Sequence, residues 1–107
     1  MDWSEVLTCI QSGESERVEL KRWEAFPKKV GEALCALANT EGGVVILGVS
    51  DSGAILGVPA DPQEVQERLS SFLTTGLSAP VRAKLGMHEV ASAWVHWIEV
   101  RRCRGPE

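Results

Sequence analysis

The stretch Ala36-Leu37-Ala38-Asn39-Thr40-Glu41-Gly42-Gly43-Val44-Val45-Ile46-Leu47-Gly48-Val49-Ser50-Asp51 decides the architecture. Its first part closes a helix, because Val30, Ala33, Leu34, Leu37 and Ala38 recur at helical spacing and form one apolar stripe. Asn39 to Gly43 ends that helix, since glycine supplies the positive φ that a helix C-terminus favours. From Val44 to Val49 the apolar side chains follow one another without polar alternation, so the strand is predicted to be covered on both faces.

Toward the C-terminus, Ser50-Asp51-Ser52-Gly53 reads as a tight turn into Ala54-Ile55-Leu56-Gly57-Val58, and the two runs are predicted to form a hairpin. After the break at Pro59 to Pro62, Val65, Leu69, Phe72 and Leu73 mark a third amphipathic helix ending near Gly76. Val81, Ala83, Leu85 and Met87 then alternate with Arg82, Lys84, Gly86 and His88, the pattern of a half-exposed strand. A last strand runs from Ala93 to Cys103, with Trp94, Ile98 and Val100 on one side and Val95 and Trp97 on the other.

Toward the N-terminus, Pro27 opens the helix that carries Val30 to Ala38. Before it, Val18 and Leu20 face one way and Arg17, Glu19 and Lys21 the other, a strand with a charged outer face. Ser4 is the expected N-cap of a short first helix that stops at Gly13. The order α-β-α-β-β-α-β-β predicts an α+β fold, with about three helices packed on a mixed β-sheet. No repeat or linker interrupts it, so residues 1–107 are expected to form a single domain.

At 107 residues, with 44% apolar and 24% charged side chains, the chain can bury one core without staples. No apolar run approaches the roughly 20 residues needed to cross a bilayer, and Met1 to Glu5 lacks the order of a signal peptide. No membrane association and a cytoplasmic location are therefore expected. Cys9, Cys35 and Cys103 are widely spaced and read as small hydrophobes rather than zinc ligands. His88 and His96 lie on strands without ligand spacing.

The net charge of −4 argues against gripping nucleic acid by bulk electrostatics. The cations are nevertheless grouped: Arg17, Lys21, Arg22, Lys28 and Lys29, then Arg82 and Lys84, then Arg101, Arg102 and Arg104. One face can be positive on an acidic protein. No phosphate-binding G-x-x-x-x-G-K-[ST] loop, dinucleotide G-x-G-x-x-G or nucleophile elbow occurs, so no nucleotide cofactor is expected.

Glu14 precedes the first strand, Glu19 lies on its charged face, and Asp51 sits in the turn after the central strand. If those strands are neighbours, the three acids converge, and their mutual repulsion calls for a hard divalent cation, Mg²⁺ or Mn²⁺. Such an ion activates water for attack on a phosphodiester, and Lys21 would stabilise the developing charge. The same residues also suit plainer work: Glu14 and Asp51 as turn formers, Glu19 as a surface ion-pair partner.

Glu14-Ser15-Glu16-Arg17-Val18-Glu19-Leu20-Lys21 resembles the E-S-x-x-x-E-F-K opening of the AlbA-like domain of Schlafen proteins. Ala36 to Gly43 matches its A-F-A-N-T-x-G-G, Ile46 to Asp51 its hydrophobic-I-G-V-D-D, and Gly53 with Ile55 to Val58 its following G-x-I-x-G segment. These matches keep the family's order over residues 14 to 58. The resemblance implies a DNA- or RNA-binding domain of the kind found in microbial regulators and helicase-related proteins. It also implies that Glu14, Glu19 and Asp51 correspond to the three-carboxylate site of the Schlafen endoribonucleases, with Lys21 at the motif's lysine. Leu20 replaces the usual Phe, and Ser50 replaces the first acid of the turn. The active nuclease core of that family resembles two such lobes, so a homodimer or a further domain in a longer parent chain is the expected context. Three functions follow: nucleic-acid binding through Arg17, Lys21, Arg22, Lys28, Lys29, Arg82 and Lys84; metal-dependent endoribonuclease chemistry; or a structural, dimerising role suggested by the apolar Trp94/Trp97 strand.

Overall fold

The computed structural model describes residues 1–79 and 81–102. Helix α1 spans Trp3–Ser12, strand β1 Val18–Lys21, α2 Lys28–Ala38, β2 Gly43–Leu47, α3 Pro62–Ser71, β3 Ala83–Val90 and β4 Ala93–Val100. A short 3₁₀ turn covers Trp23–Ala25, and α3 runs on into a π-type turn over Phe72–Gly76. The four strands form one mixed sheet in the order β1-β2-β4-β3, with β1 parallel to β2 and the other pairs antiparallel. This is the α+β arrangement the sequence predicts, with three α-helices on a mixed sheet.

The unbroken apolar run of β2 is explained by two separate cores. Val45, Leu47, Ile98 and Val100 face α2 and α3, where Val30, Leu34, Leu37, Val65 and Leu69 meet them. Val44, Ile46, Val95 and Trp97 face α1, joined by Val6, Ile10 and Leu20. A strand sandwiched between helices has no wet face, so alternation disappears. Trp3 ties α1 to the sheet, stacked on His88 at 4.7 Å and close to Trp97 at 6.3 Å. Trp97 fits only because Gly86, its ladder partner on β3, has no side chain; a Cβ there would occupy the indole itself.

Two expectations are corrected. Asp2, not Ser4, caps α1: its carboxylate accepts the Glu5 N–H, and the Glu5 carboxylate accepts the Asp2 N–H, a reciprocal capping box. The segment Ala54 to Val58 is not the second strand of a hairpin. Only an isolated Val49–Ile55 bridge forms, because both edges of β2 are already taken by β1 and β4. The segment instead crosses the end of the sheet, where Leu56 and Gly57 donate to the Gly48 carbonyl and Val58 donates to Trp94. Cys103 and Arg104, expected at the end of the last strand and in the C-terminal basic group, lie outside the described residues.

Candidate functional site

Strand β1 borders the sheet, and the residues before it fold back along its open side. The Arg17 carbonyl accepts Val44 N–H and the Lys21 carbonyl accepts Gly48 N–H, each at 2.8 Å, so the odd residues of β1 hydrogen-bond to β2. The N–H groups of Val18 and Leu20 therefore point away from β2. Val18 N–H donates to the Ser15 carbonyl at 3.4 Å, and Leu20 N–H donates to Glu14 Oε2 at 3.2 Å. Glu14 thus caps the edge of the sheet with its own carboxylate.

The same loop brings Glu14 against Glu19. Partial burial, then the neighbouring Glu14 carboxylate to which a protonated Glu19 hydrogen-bonds, hold the Glu19 carboxyl above the usual range, with Lys21 pulling the other way. Two carboxyls therefore stand together along β1, with the Lys21 ammonium near enough to be felt but in no ion pair with either among the described residues. Asp51 is exposed in the turn after β2, toward the same C-terminal end of the parallel pair. That turn rests on the last part of α1, with Gly53 against the Ile10 carbonyl. Among the described residues no three acidic, histidine or cysteine side chains form a group set to hold a metal.

The cations fall in three places. Arg17 reaches back to the Glu41 carbonyl at 3.2 Å, where a positive charge complements the C-terminal end of α2. Lys21 is half-buried beside Glu19, while Arg22, Lys28 and Lys29 are exposed around the start of α2. Arg82 and Lys84 lie on the far side of the sheet, three strand spacings or about 14 Å from β1.

The start of α2 runs against the usual charge rule. Its first turn holds no acid, its N-cap is Pro27 without a side-chain acceptor, and its first two residues are Lys28 and Lys29. Cations at a helix N-terminus oppose the macrodipole, whereas an anion is favoured there by both the dipole and the free N–H groups. Lys29 makes one weak ion pair, 3.9 Å to Glu32. Beside this terminus Trp23 and Phe26 stack at 5.0 Å with their planes 5° apart. Arg68 of α3 lies over both rings, at 5.4 and 5.2 Å. Sequence reasoning did not single out Trp23, Phe26 or Arg68. Their only sequence signal is two aromatics three residues apart inside a basic segment, and Arg68 arrives from 42 positions beyond Phe26.

The fold defines a small α+β domain with a basic helix start near an acidic pair at the border of its sheet. The family described as Schlafen, AlbA_2 matches residues 14–107, and the chain belongs to it. Among solved structures, the chain is similar to the N-terminal domain of a protein described as ATP-dependent DNA helicase RecG-related, from Nitrosomonas europaea. The identity is 28%, the TM-score 0.71, and the match covers 92% of this chain and 71% of that one. It shares its fold with the DIP2311 protein of Corynebacterium diphtheriae at 17% identity and a TM-score of 0.61, covering 94% of this chain and a quarter (25%) of that protein. No curated protein matches.

Proposed function

We propose that the chain is a nucleic-acid-binding domain whose contact surface is the rim formed by the end of β1 and the start of α2. The observation that carries this reading is the uncapped N-terminus of α2 with Lys28 and Lys29 and no acid. A phosphate there would accept the free N–H groups and neutralise two charges that otherwise oppose the dipole. Arg22 extends the rim, and the Trp23–Phe26 stack under Arg68 offers a platform of the kind on which unpaired bases stack. Family membership and a structural neighbour named for a DNA helicase support the same reading. Fluorescence anisotropy with single- and double-stranded RNA and DNA tests it. Binding at 50 mM salt should weaken roughly 50- to 150-fold at 200 mM for about four phosphate contacts. Lys28→Glu/Lys29→Glu should weaken it at least tenfold, and no binding of any of the four nucleic acids at low salt overturns the reading.

A second reading, metal-assisted cleavage of RNA, is supported by the Glu14–Glu19 pair. Mg²⁺ is commonly held by one or two carboxylates with waters completing its shell, and a pair that already crowds two acids fits that donor set. Glu14 and Glu19 would hold the ion, which would supply Lewis-acid polarisation of a phosphodiester and an activated water. Lys21 neutralises charge beside Glu19, and Asp51 would have to approach from its turn to join them. Incubating structured RNA with Mn²⁺ or Mg²⁺ decides the matter. Cleavage should vanish in Glu19→Gln, and cleavage that survives the substitution removes this site from the chemistry.

A further inference from the structure

The opposite border of the sheet is finished differently. Arg101 N–H donates to the Arg82 carbonyl at 3.0 Å, which makes these two a hydrogen-bonded pair on the β3–β4 ladder. Alternation along an antiparallel ladder then places Lys84, Gly86 and His88 in bonded pairs, and turns the N–H and C=O of Ala83, Leu85, Met87 and Glu89 outward. Among the described residues nothing in the chain pairs with those groups. The strand is eight residues long, and Met87 stands 37% exposed on it.

Along this edge lies a groove of about 540 Å³ between β3 and the end of α3. Leu73, Val81, Ala83 and Leu85 supply its apolar wall. Arg82, Lys84 and Arg101 line it as well, all three exposed, and none makes an ion pair among the described residues. Glu99, which faces Lys84 across the ladder, is turned to the Met1 ammonium at 3.2 Å instead. An unpaired row of backbone donors and acceptors thus has an apolar wall on the α3 face of the strand and three uncommitted cations on the opposite face.

We infer that the β3 edge is a docking site for an extended acidic peptide, which adds to the sheet as a fifth strand. Its main chain would pair with Ala83, Leu85 and Met87; alternate apolar side chains would enter the groove, and its carboxylates would meet Arg82, Lys84 and Arg101. Main-chain pairing supplies affinity in such strand addition, and pockets for alternate side chains supply selectivity. A polynucleotide fits less well, because its base and 2′-hydroxyl donors do not recur with the two-residue repeat of the outward N–H and C=O groups. The site is independent of the nucleic-acid rim, which lies at the other border of the sheet.

The test uses the full chain and a labelled ten-residue peptide alternating Glu with Val, beside the same peptide with Lys in place of Glu. The acidic peptide should bind at least tenfold more tightly and should protect the Ala83, Leu85 and Met87 amides from hydrogen exchange. Arg82→Glu/Lys84→Glu, a surface change that leaves packing intact, should cost at least tenfold in affinity. Met87→Pro removes an outward donor without breaking a ladder bond and should abolish binding. Oligonucleotide affinity of the Met87→Pro variant should remain that of the parent, which separates this site from the proposed rim. Equal binding of the two peptides, absence of binding, protection appearing on β1 instead, displacement of the peptide by single-stranded RNA, or a concentration-dependent dimer that covers β3 would each overturn the inference.

Discussion

The two borders of the sheet are finished in opposite ways. At β1 the chain returns on itself, and Ser15 and Glu14 occupy the outward N–H groups of Val18 and Leu20. At β3 eight residues run along an open side with no such cover among the described residues. Exposed edges invite pairing with other chains, and proteins that do not use them block them. The contrast within one small sheet teaches that blocking was available to this fold and applied on one side only. The acidic pair and the basic helix start gather on the closed side, and the open side carries cations of its own.

The sharpest way to break this contrast is to loosen the anchor of the closed border. Leu20 is 0% exposed and packs into the α1-side core, so Leu20→Ala should cost about 2–5 kcal/mol. In thermal denaturation that is a fall of roughly 10–30 °C for a domain of this size. Amide exchange along β1 should then outrun exchange along β3, reversing the order expected of the parent.

Acid should loosen the other half. His96 is 0% exposed, pairs in register with Met87, and holds Gln66 through Nδ1 at 2.8 Å while its Nε2 has no partner among the described residues. Burial lowers its pKa from the ordinary 6.5 to about 4. The unfolded chain therefore takes up the proton first as pH falls. The stability this neutral histidine contributes is complete above about pH 6.5 and is lost between there and about pH 4, roughly 3 kcal/mol in all. Urea denaturation at intervals from pH 7 to 4 measures it. In His96→Leu that share of the pH dependence should be absent, and a slope unchanged by the substitution would assign the effect elsewhere.

The smallest effect tests the edge cap itself. Glu14→Ala strips the acceptor from the Leu20 N–H and should cost about 1 kcal/mol. Glu14→Gln keeps an oxygen there and should cost less. Hydrogen exchange at Leu20 is the direct readout: acceleration in the Ala variant and near-parental protection in the Gln variant are expected.

What the sequence disclosed follows the range of the forces involved. Helix α2 and strand β2 were legible because the apolar spacing of Val30 to Ala38 and the unbroken run from Val44 to Leu47 are local records of which faces are covered. The Ala54–Val58 strand failed because its place beside β2 is filled by β4, a neighbour 55 positions away in the register of Val44 with Glu99. The start of α1 was misplaced because Ser4 and Asp2 are both good caps, and only the reciprocal bond with Glu5 distinguishes them. Glu14, Glu19 and Lys21 could be named from spacing and resemblance, and the Glu19 carboxyl feels both the Glu14 carboxylate and the Lys21 ammonium. The edge cap could not be read, because it depends on the loop doubling back along β1. The Arg68–Trp23–Phe26 cluster joins two helical regions and leaves no periodic trace.

The position of Glu14 bears on how loss-of-function experiments on this domain should be interpreted. One carboxylate both guards a border of the fold and stands beside the other acid of the pair, so in a test of the proposed cleavage deleting it would confound two failures: lost chemistry and a protein that clumps. Insolubility of a Glu14 variant would say nothing about chemistry. Glu19, which seals no backbone donor among the described residues, is the residue at which activity and solubility can be judged apart.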